Sequence, residues 1–101
     1  MKTAMIRILG VLTFLSLAQV AQAADAPAKY AASCGACHAY GVAGAPKTGD
    51  AGQWEPRLAK GMDALVASVK KGLNAMPPGG LCNGCSDEEY KELITYMATP
   101  Q

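Results

Sequence analysis

The sequence Cys34-Gly35-Ala36-Cys37-His38 constrains the fold of this chain more than any other feature. Two cysteines three positions apart lie about one helical turn from each other, so both thiols can react on one side of a flat ligand. Followed at once by histidine, the pair is typical of c-type haem attachment, in which both thiols add to the vinyl groups. The imidazole of His38 can then bind the iron as its proximal ligand. We therefore predict one covalent haem c, held through Cys34 and Cys37.

Two other classes of site share the Cys-x-x-Cys spacing, namely thioredoxin-like redox pairs and halves of zinc sites. The histidine directly after Cys37 favours haem over both. His38 is also the single histidine of the chain. Ligation of the iron by two histidines is therefore excluded, which leaves methionine, lysine or no residue for its sixth position.

Three methionines follow the haem motif, and one of them is in a context that suits an iron ligand. Met62 and Met97 fall on apolar stripes with helical spacing, where packing in the core is the expected role. Met76 instead precedes two prolines and lies outside any helical period. Prolines fix φ and stiffen a loop, so a thioether in this loop can be held against the iron. We predict His38 and Met76 as the two axial ligands.

A second Cys-x-x-Cys pair, Cys82 and Cys85, allows three interpretations. A second haem is excluded because Ser86 stands where histidine would be needed. A zinc site built with the first pair is disfavoured because the two pairs are much farther apart than in common zinc ribbons. The intervening Asn-Gly favours a tight turn that brings the two cysteines within disulfide distance. A structural disulfide between Cys82 and Cys85 is favoured over a redox-active pair, which would need a βαβ context.

The first 23 residues have the organisation of a secretory signal peptide. A basic start precedes an apolar run over Ile8–Ala18, and an A-x-A cleavage site ends at Ala23. A retained membrane anchor is disfavoured because the run is shorter than the ~20 apolar residues that span a bilayer. We predict cleavage after Ala23 and export to the periplasm, which leaves residues 24–101 as a single domain.

The charge of the chain argues against two classes of partner. Lys2 and Arg7 belong to the predicted leader, so seven of the nine basic residues remain against eight acidic residues. Such a balance provides no basic surface for nucleic acid and no polybasic signal for a membrane surface. We expect no nucleic-acid partner and no stable membrane insertion.

Apolar periodicity and capping signals predict an all-α domain with about four short helices around the haem. The first helix is predicted over Asp25–Cys37, with Asp25 as its N-cap, and the second over Trp54–Lys60. The third begins near Met62 and ends at Gly72, a typical C-terminal glycine. The fourth follows a capping box that begins at Ser86.

The chain resembles the small class I (mono-haem) bacterial cytochromes c, and more narrowly the cytochrome c-five subgroup. The resemblance covers nearly all of residues 24–101. It rests on Tyr30, Cys34-Gly35-Ala36-Cys37-His38, Gly44-Ala45-Pro46-Lys47, Trp54 with Arg57, Met76-Pro77-Pro78-Gly79-Gly80, and Cys82-Asn83-Gly84-Cys85-Ser86-Asp87-Glu88-Glu89.

The resemblance implies a compact fold in which the first and last helices cross and His38 and Met76 lie on opposite faces of the haem. It implies that the carbonyl of Pro46 accepts the other imidazole N–H, which makes Pro46 part of the haem-binding set. It also implies the second-pair disulfide. Trp54 and Arg57 resemble family positions near the haem propionates; a core aromatic and a surface ion pair are the respective alternatives.

These predictions describe a soluble one-electron carrier rather than an enzyme. The iron would cycle between ferric and ferrous while both axial ligands stay in place. Its partners would be a reductase and a terminal oxidase or reductase, met in brief, weak encounters. Small carriers of this kind can also pair through the apolar haem edge, and no residue decides between a monomer and a weak homodimer.

Two other functions stay open as alternatives. A peroxidase-like haem enzyme would need a labile sixth ligand, and no distal histidine or arginine constellation supports one. A haem-bearing subunit fixed in a respiratory complex would carry the same ligands in a permanent assembly.

Overall fold

The computed structural model describes the backbone of Gly10 and residues 17–101, and the side chains of residues 25–101. Over these residues the chain forms five α-helices and two short 3-10 helices. The α-helices are α1 (Leu17–Ala32), α2 (Gly35–His38), α3 (Ala51–Leu58), α4 (Met62–Lys71) and α5 (Asp87–Ala98), and the 3-10 helices are Val42–Gly44 and Pro78–Leu81. The predicted all-α class is confirmed, since the described chain has only one isolated β-bridge, between Leu73 and Met76.

The predicted leader lies mostly outside the described residues. Its basic start and most of its apolar run are not covered. From Leu17 the chain is helical and α1 continues without a break past Ala23, where we predict cleavage. No helix in the described part of the chain has the length and apolar content to cross a bilayer.

The predicted helix over Asp25–Cys37 was wrong at both ends. Asp25 does not cap a helix because the chain before it is already helical. At the other end α1 stops at Ala32, and a turn separates it from α2. The hydroxyl of Ser33 donates to the carbonyl of Lys29 at 2.6 Å, and such local bonds favour turns over continued helix.

The turn also needs a glycine, because the chain passes close to the preceding helix. A Cβ on Gly35 would lie 3.0 Å from the carbonyl oxygen of Tyr30 and 3.2 Å from its ring. The haem motif is therefore folded directly against the end of α1.

The other helix boundaries agree with the sequence except at α3. This helix begins at Ala51 rather than Trp54, because Asp50 caps it by accepting from the amide of Gln53 at 3.2 Å. Gly72 follows the last residue of α4 with φ 87°, a positive φ that glycine adopts without steric cost. The capping box of α5 is also confirmed, since Ser86 and Glu89 exchange both of its hydrogen bonds.

The core is centred on α5. Leu93 is 1% exposed, and burial of a side chain of this size contributes roughly 1.5–3 kcal/mol. The helix packs across α1, where the rings of Tyr30 and Tyr96 are 5.1 Å apart. The buried apolar cluster comprises Trp54, Val66, Tyr90, Leu93, Ile94 and Met97.

An ion pair between Lys29 of α1 and Glu89 of α5 connects the two helices where they cross. Its hydrogen bond to Lys29 lowers the pKa of Glu89, and the same bond raises the pKa of Lys29. Glu89 also accepts from the amide of Ser86 in the capping box. One carboxylate therefore joins the start of α5 to α1.

Glu89→Gln should reduce the free energy of unfolding in a pH-dependent way. The pair stabilises the fold above the ordinary carboxyl pKa of about 4.3, and this stability disappears as the pH falls through the lowered pKa of the folded chain. Denaturant titrations at neutral pH and near pH 3 should show a difference from the wild type that shrinks on acidification. Glu55→Gln is the control, because Glu55 is exposed on α3 and makes no ion pair within residues 25–101. An equal difference at both pH values would contradict the prediction.

Candidate functional site

A cleft of about 150 Å³ is lined both by the α2 region and by the loop that follows α4. Cys37 and His38 of the predicted haem motif line this cleft together with Met76. The residues of its wall are Cys37, His38, Val42, Ala43, Gly44, Ala45, Pro46, Arg57, Leu73, Asn74, Ala75, Met76, Pro77 and Gly80.

His38 ends α2 and is buried, with 7% of its surface exposed. Its Nδ1 lies 2.8 Å from the carbonyl oxygen of Pro46. A carbonyl can only accept, so Nδ1 carries the proton and Nε2 keeps a free lone pair. The imidazole is thus held in the tautomer that a metal requires.

The backbone of His38 is held as firmly as its ring. Its carbonyl oxygen accepts from the amide of Thr48 at 2.8 Å and from the Thr48 hydroxyl at 3.2 Å. Tyr30 reaches the same hydroxyl at 2.8 Å and so ties it to α1. Sequence reasoning missed Thr48, because nothing local marks a residue that acts ten positions away.

Trp54 packs beside the ring of His38 and is not among the residues that line the cleft. It is 4% exposed, and its ring centroid lies 5.7 Å from that of His38. Its indole N–H donates to the carbonyl of Lys47 at 2.9 Å. The structure thus places Trp54 as a core aromatic, the alternative to a position near the propionates.

Arg57 lines the cleft, as expected for a residue near a haem carboxylate. Its guanidinium donates to the backbone carbonyl of Gln53 in the preceding turn. Among the described residues it forms no ion pair. The surface ion pair considered from the sequence is therefore absent from this part of the chain.

Cys34 directly precedes α2 and Cys37 lies within it. Both cysteines are half-buried, and neither takes part in a disulfide. Cys37 lines the cleft. Burial raises the pKa of the Cys34 thiol, and the neighbouring Ser33 hydroxyl, 3.5 Å from the sulfur, partly opposes this.

Met76 also lines the cleft and lies in a tightly hydrogen-bonded turn of the loop that follows α4. Its amide donates to the carbonyl of Leu73 at 2.9 Å, and its carbonyl accepts from the amide of Leu73 at 3.1 Å. A Cβ on Gly80 would lie 2.8 Å from the terminal methyl carbon of Met76. Gly80 therefore gives the thioether the room that it occupies.

A disulfide joins Cys82 to Cys85, whose Cα atoms are 5.7 Å apart. The hydroxyl of Tyr90 donates to the carbonyl of Cys82 at 2.8 Å, and the amide of Cys82 donates to the carbonyl of Gly79 at 2.9 Å. These contacts connect the methionine loop to α5. A zinc site that uses both cysteine pairs is ruled out for this structure, because Cys82 and Cys85 are bonded to each other.

These donors fit a c-type haem. The lining of the cleft includes His38, whose imidazole keeps a free Nε2, the thioether residue Met76 and the thiol residue Cys37; the second thiol, that of Cys34, directly precedes α2. Imidazole and thioether are the axial ligands of cytochrome c iron. No cluster of three or more His, Cys, Asp or Glu side chains suited to a different metal occurs among the described residues.

Comparison with known proteins agrees with this chemistry. The family model described as cytochrome C oxidase, cbb3-type, subunit III matches residues 21–97. Cytochrome c5 of Azotobacter vinelandii is 50% identical over 76 residues, covering 73% of this chain and 88% of the relative. Cytochrome c5 of Ectopseudomonas mendocina is 48% identical over 67 residues, covering 64% of this chain and 77% of the relative.

Solved structures give the same result. The mono-haem ferrocytochrome c of Shewanella putrefaciens is 58% identical, with a TM-score of 0.68, and the match covers 76% of this chain and 95% of that one. A cytochrome c solved in an electron transfer complex with nitrite reductase is 44% identical, with a TM-score of 0.66, over 72% of this chain and 89% of that one.

The chain therefore belongs to the mono-haem cytochromes c. Within that class it is a cytochrome c5-like electron carrier and not an enzyme. Covalent haem c is the cofactor of the family.

Gly80→Ala should displace the Met76 side chain, whereas Gly84→Ala should not. Both glycines have positive φ, 55° and 82°, so each substitution should cost about 1 kcal/mol of stability through backbone strain. Only the Cβ at position 80 meets a neighbour, the methyl carbon of Met76; position 84 is open within 4 Å. Methyl NMR spectra of the two variants should show a shifted Met76 signal in Gly80→Ala alone. Equal shifts of the Met76 signal in both variants would contradict the prediction that only a side chain at position 80 displaces Met76.

Proposed function

We propose that this chain is a periplasmic one-electron carrier that holds a single haem c through Cys34 and Cys37, with His38 and Met76 as its axial ligands. The observation that carries the proposal is the cleft itself. One cavity is lined by His38, Met76 and Cys37. The Nδ1 of the His38 imidazole is hydrogen-bonded to a backbone carbonyl.

When bound, the haem supplies a ferric/ferrous couple. The two proposed ligands act on that couple in opposite directions. The bond from His38 to Pro46 makes the imidazole a stronger donor, which favours ferric iron. The thioether of Met76 favours ferrous iron and raises the potential above that of a bis-histidine site.

Fast electron transfer also needs ligands that stay in place in both oxidation states. His38 is held by its ring and by its backbone. Met76 is held in a turn followed by two prolines, and the disulfide between Cys82 and Cys85 connects this loop to α5. Such restraint leaves little to reorganise when the charge on the iron changes.

Met76→Leu should abolish the weak far-red absorption band that a methionine ligand gives to ferric haem. The substitution keeps the size of the side chain but removes the sulfur. Met62→Leu is the matched control, since Met62 is a half-buried methionine at the start of α4 and lies outside the cleft wall. Absorption spectra of the oxidised holoproteins provide the measurement. High-spin iron in the native protein, or a band that survives in Met76→Leu, would refute the proposed ligation.

The relative found in an electron transfer complex with nitrite reductase suggests the kind of partner. We propose that this chain likewise meets redox enzymes in short-lived encounters. The open cleft suits that use, because a ligand edge left uncovered provides a short path for the electron. A second candidate, a fixed subunit of a respiratory complex, is favoured by the description of the matching family model.

Sedimentation of a native periplasmic extract separates these two candidates. A free carrier should run as a small haem-staining species whose first residue is Ala24, because we predict cleavage after Ala23. A fixed subunit should sediment with a large complex, or stay with the membrane fraction. The latter result, or a retained leader, would refute the proposed free periplasmic carrier.

A further inference from the structure

We infer that Gln53 and Trp54, at the start of α3, are positioning residues for His38, and that Trp54 does not bind a haem propionate. The inference rests on the proposed role of His38 as an iron ligand. It extends that role to two side chains that act on His38 through the backbone of residues 46–48.

Two consecutive peptide groups hold His38. The carbonyl of Pro46 accepts from the imidazole Nδ1 at 2.8 Å. The next peptide group donates its N–H, from Thr48, to the carbonyl of His38 at 2.8 Å. Because each peptide group is planar, whatever orients its other end also orients the end that binds His38.

Gln53 and Trp54 bind those other ends. The side-chain oxygen of Gln53 accepts from the amide of Lys47 at 2.7 Å, and this amide shares its peptide plane with the Pro46 carbonyl. The indole of Trp54 donates to the Lys47 carbonyl at 2.9 Å, in the same plane as the Thr48 amide. Each of the two peptide groups therefore has one bond to His38 and one bond to α3.

Such chains of hydrogen bonds strengthen one another. A peptide that donates its N–H to a good acceptor has a more electron-rich carbonyl, so Gln53 makes Pro46 a better acceptor for the imidazole. A better acceptor gives the ring more donor strength toward a metal. Gln53 thus acts on the proposed iron ligand without touching it.

The single donor of Trp54 is already used. An indole has one N–H and no acceptor, and here that N–H bonds to Lys47. The side chain is buried behind His38 and outside the cleft wall. Of Trp54 and Arg57, only Arg57 lines the cleft, so Arg57 is the one that can bind a carboxylate there.

Gln53→Ala tests the inference in the folded holoprotein. Gln53 is exposed and its backbone bonds to Asp50 and Arg57 do not involve its side chain, so the helix should persist. In NMR spectra of the reduced protein, we expect the Nδ1 proton of His38 to exchange with water about fivefold faster than in wild type, the effect of one lost hydrogen bond. The reduction potential should rise, because a weaker imidazole donor stabilises ferric iron less.

Two further variants sharpen the result. Gln53→Glu keeps an acceptor oxygen and should restore slow exchange. Trp54→Phe removes the indole N–H and should also accelerate exchange of the His38 proton. Thr95→Val is the matched control, since it removes one bond from a side chain to a backbone carbonyl on α5, away from the cleft.

The inference is overturned if Gln53→Ala exchanges its His38 proton at the rate of the Thr95→Val control. It is also overturned if Trp54→Phe leaves that rate unchanged and alters only the pH dependence of the potential, the mark of a propionate partner. A wild-type protein without a low-spin His/Met spectrum would instead refute the proposed function. The two failures are therefore distinguishable.

Discussion

The hydrogen bond between the His38 ring and the Pro46 carbonyl is the contact on which the rest of the site depends. It fixes which ring nitrogen carries the proton, and so leaves the lone pair of Nε2 available to a metal. The bond cannot hold its geometry unaided, because α2 is only four residues long. The surrounding fold supplies that support through α1, α3 and the loop that lies between α2 and α3.

The two walls of the cleft are built by different physical means. On the histidine side, neutral hydrogen bonds between backbone and side chains converge on a short loop. On the methionine side, prolines, closely packed glycines and a disulfide restrict the chain directly. The buried Tyr90 of α5 connects this second wall to the core through its bond to Cys82. Each side of the cleft is thus anchored to helices of the core.

The sequence predicted those features whose signals are local. The capping box at Ser86, the C-terminal glycine at position 72 and the turn that joins Cys82 to Cys85 each depend on residues within a few positions. The break after Ala32 was not predicted, because it depends on Ser33 competing for a carbonyl of α1. The bonds from Gln53 and Thr48 were missed because their partners become neighbours only after the chain has folded.

The distance in sequence between Lys29 and Glu89, 60 positions, has a consequence for the order of folding. Closing a loop of this length costs more entropy than closing a short one, so contacts this far apart form more slowly than local contacts. A chain that emerges with its N-terminus first presents both thiols of the haem motif well before α5 is available to pack across α1. The crossing of the first and last helices can therefore form only after residues 34–38 have already been synthesised.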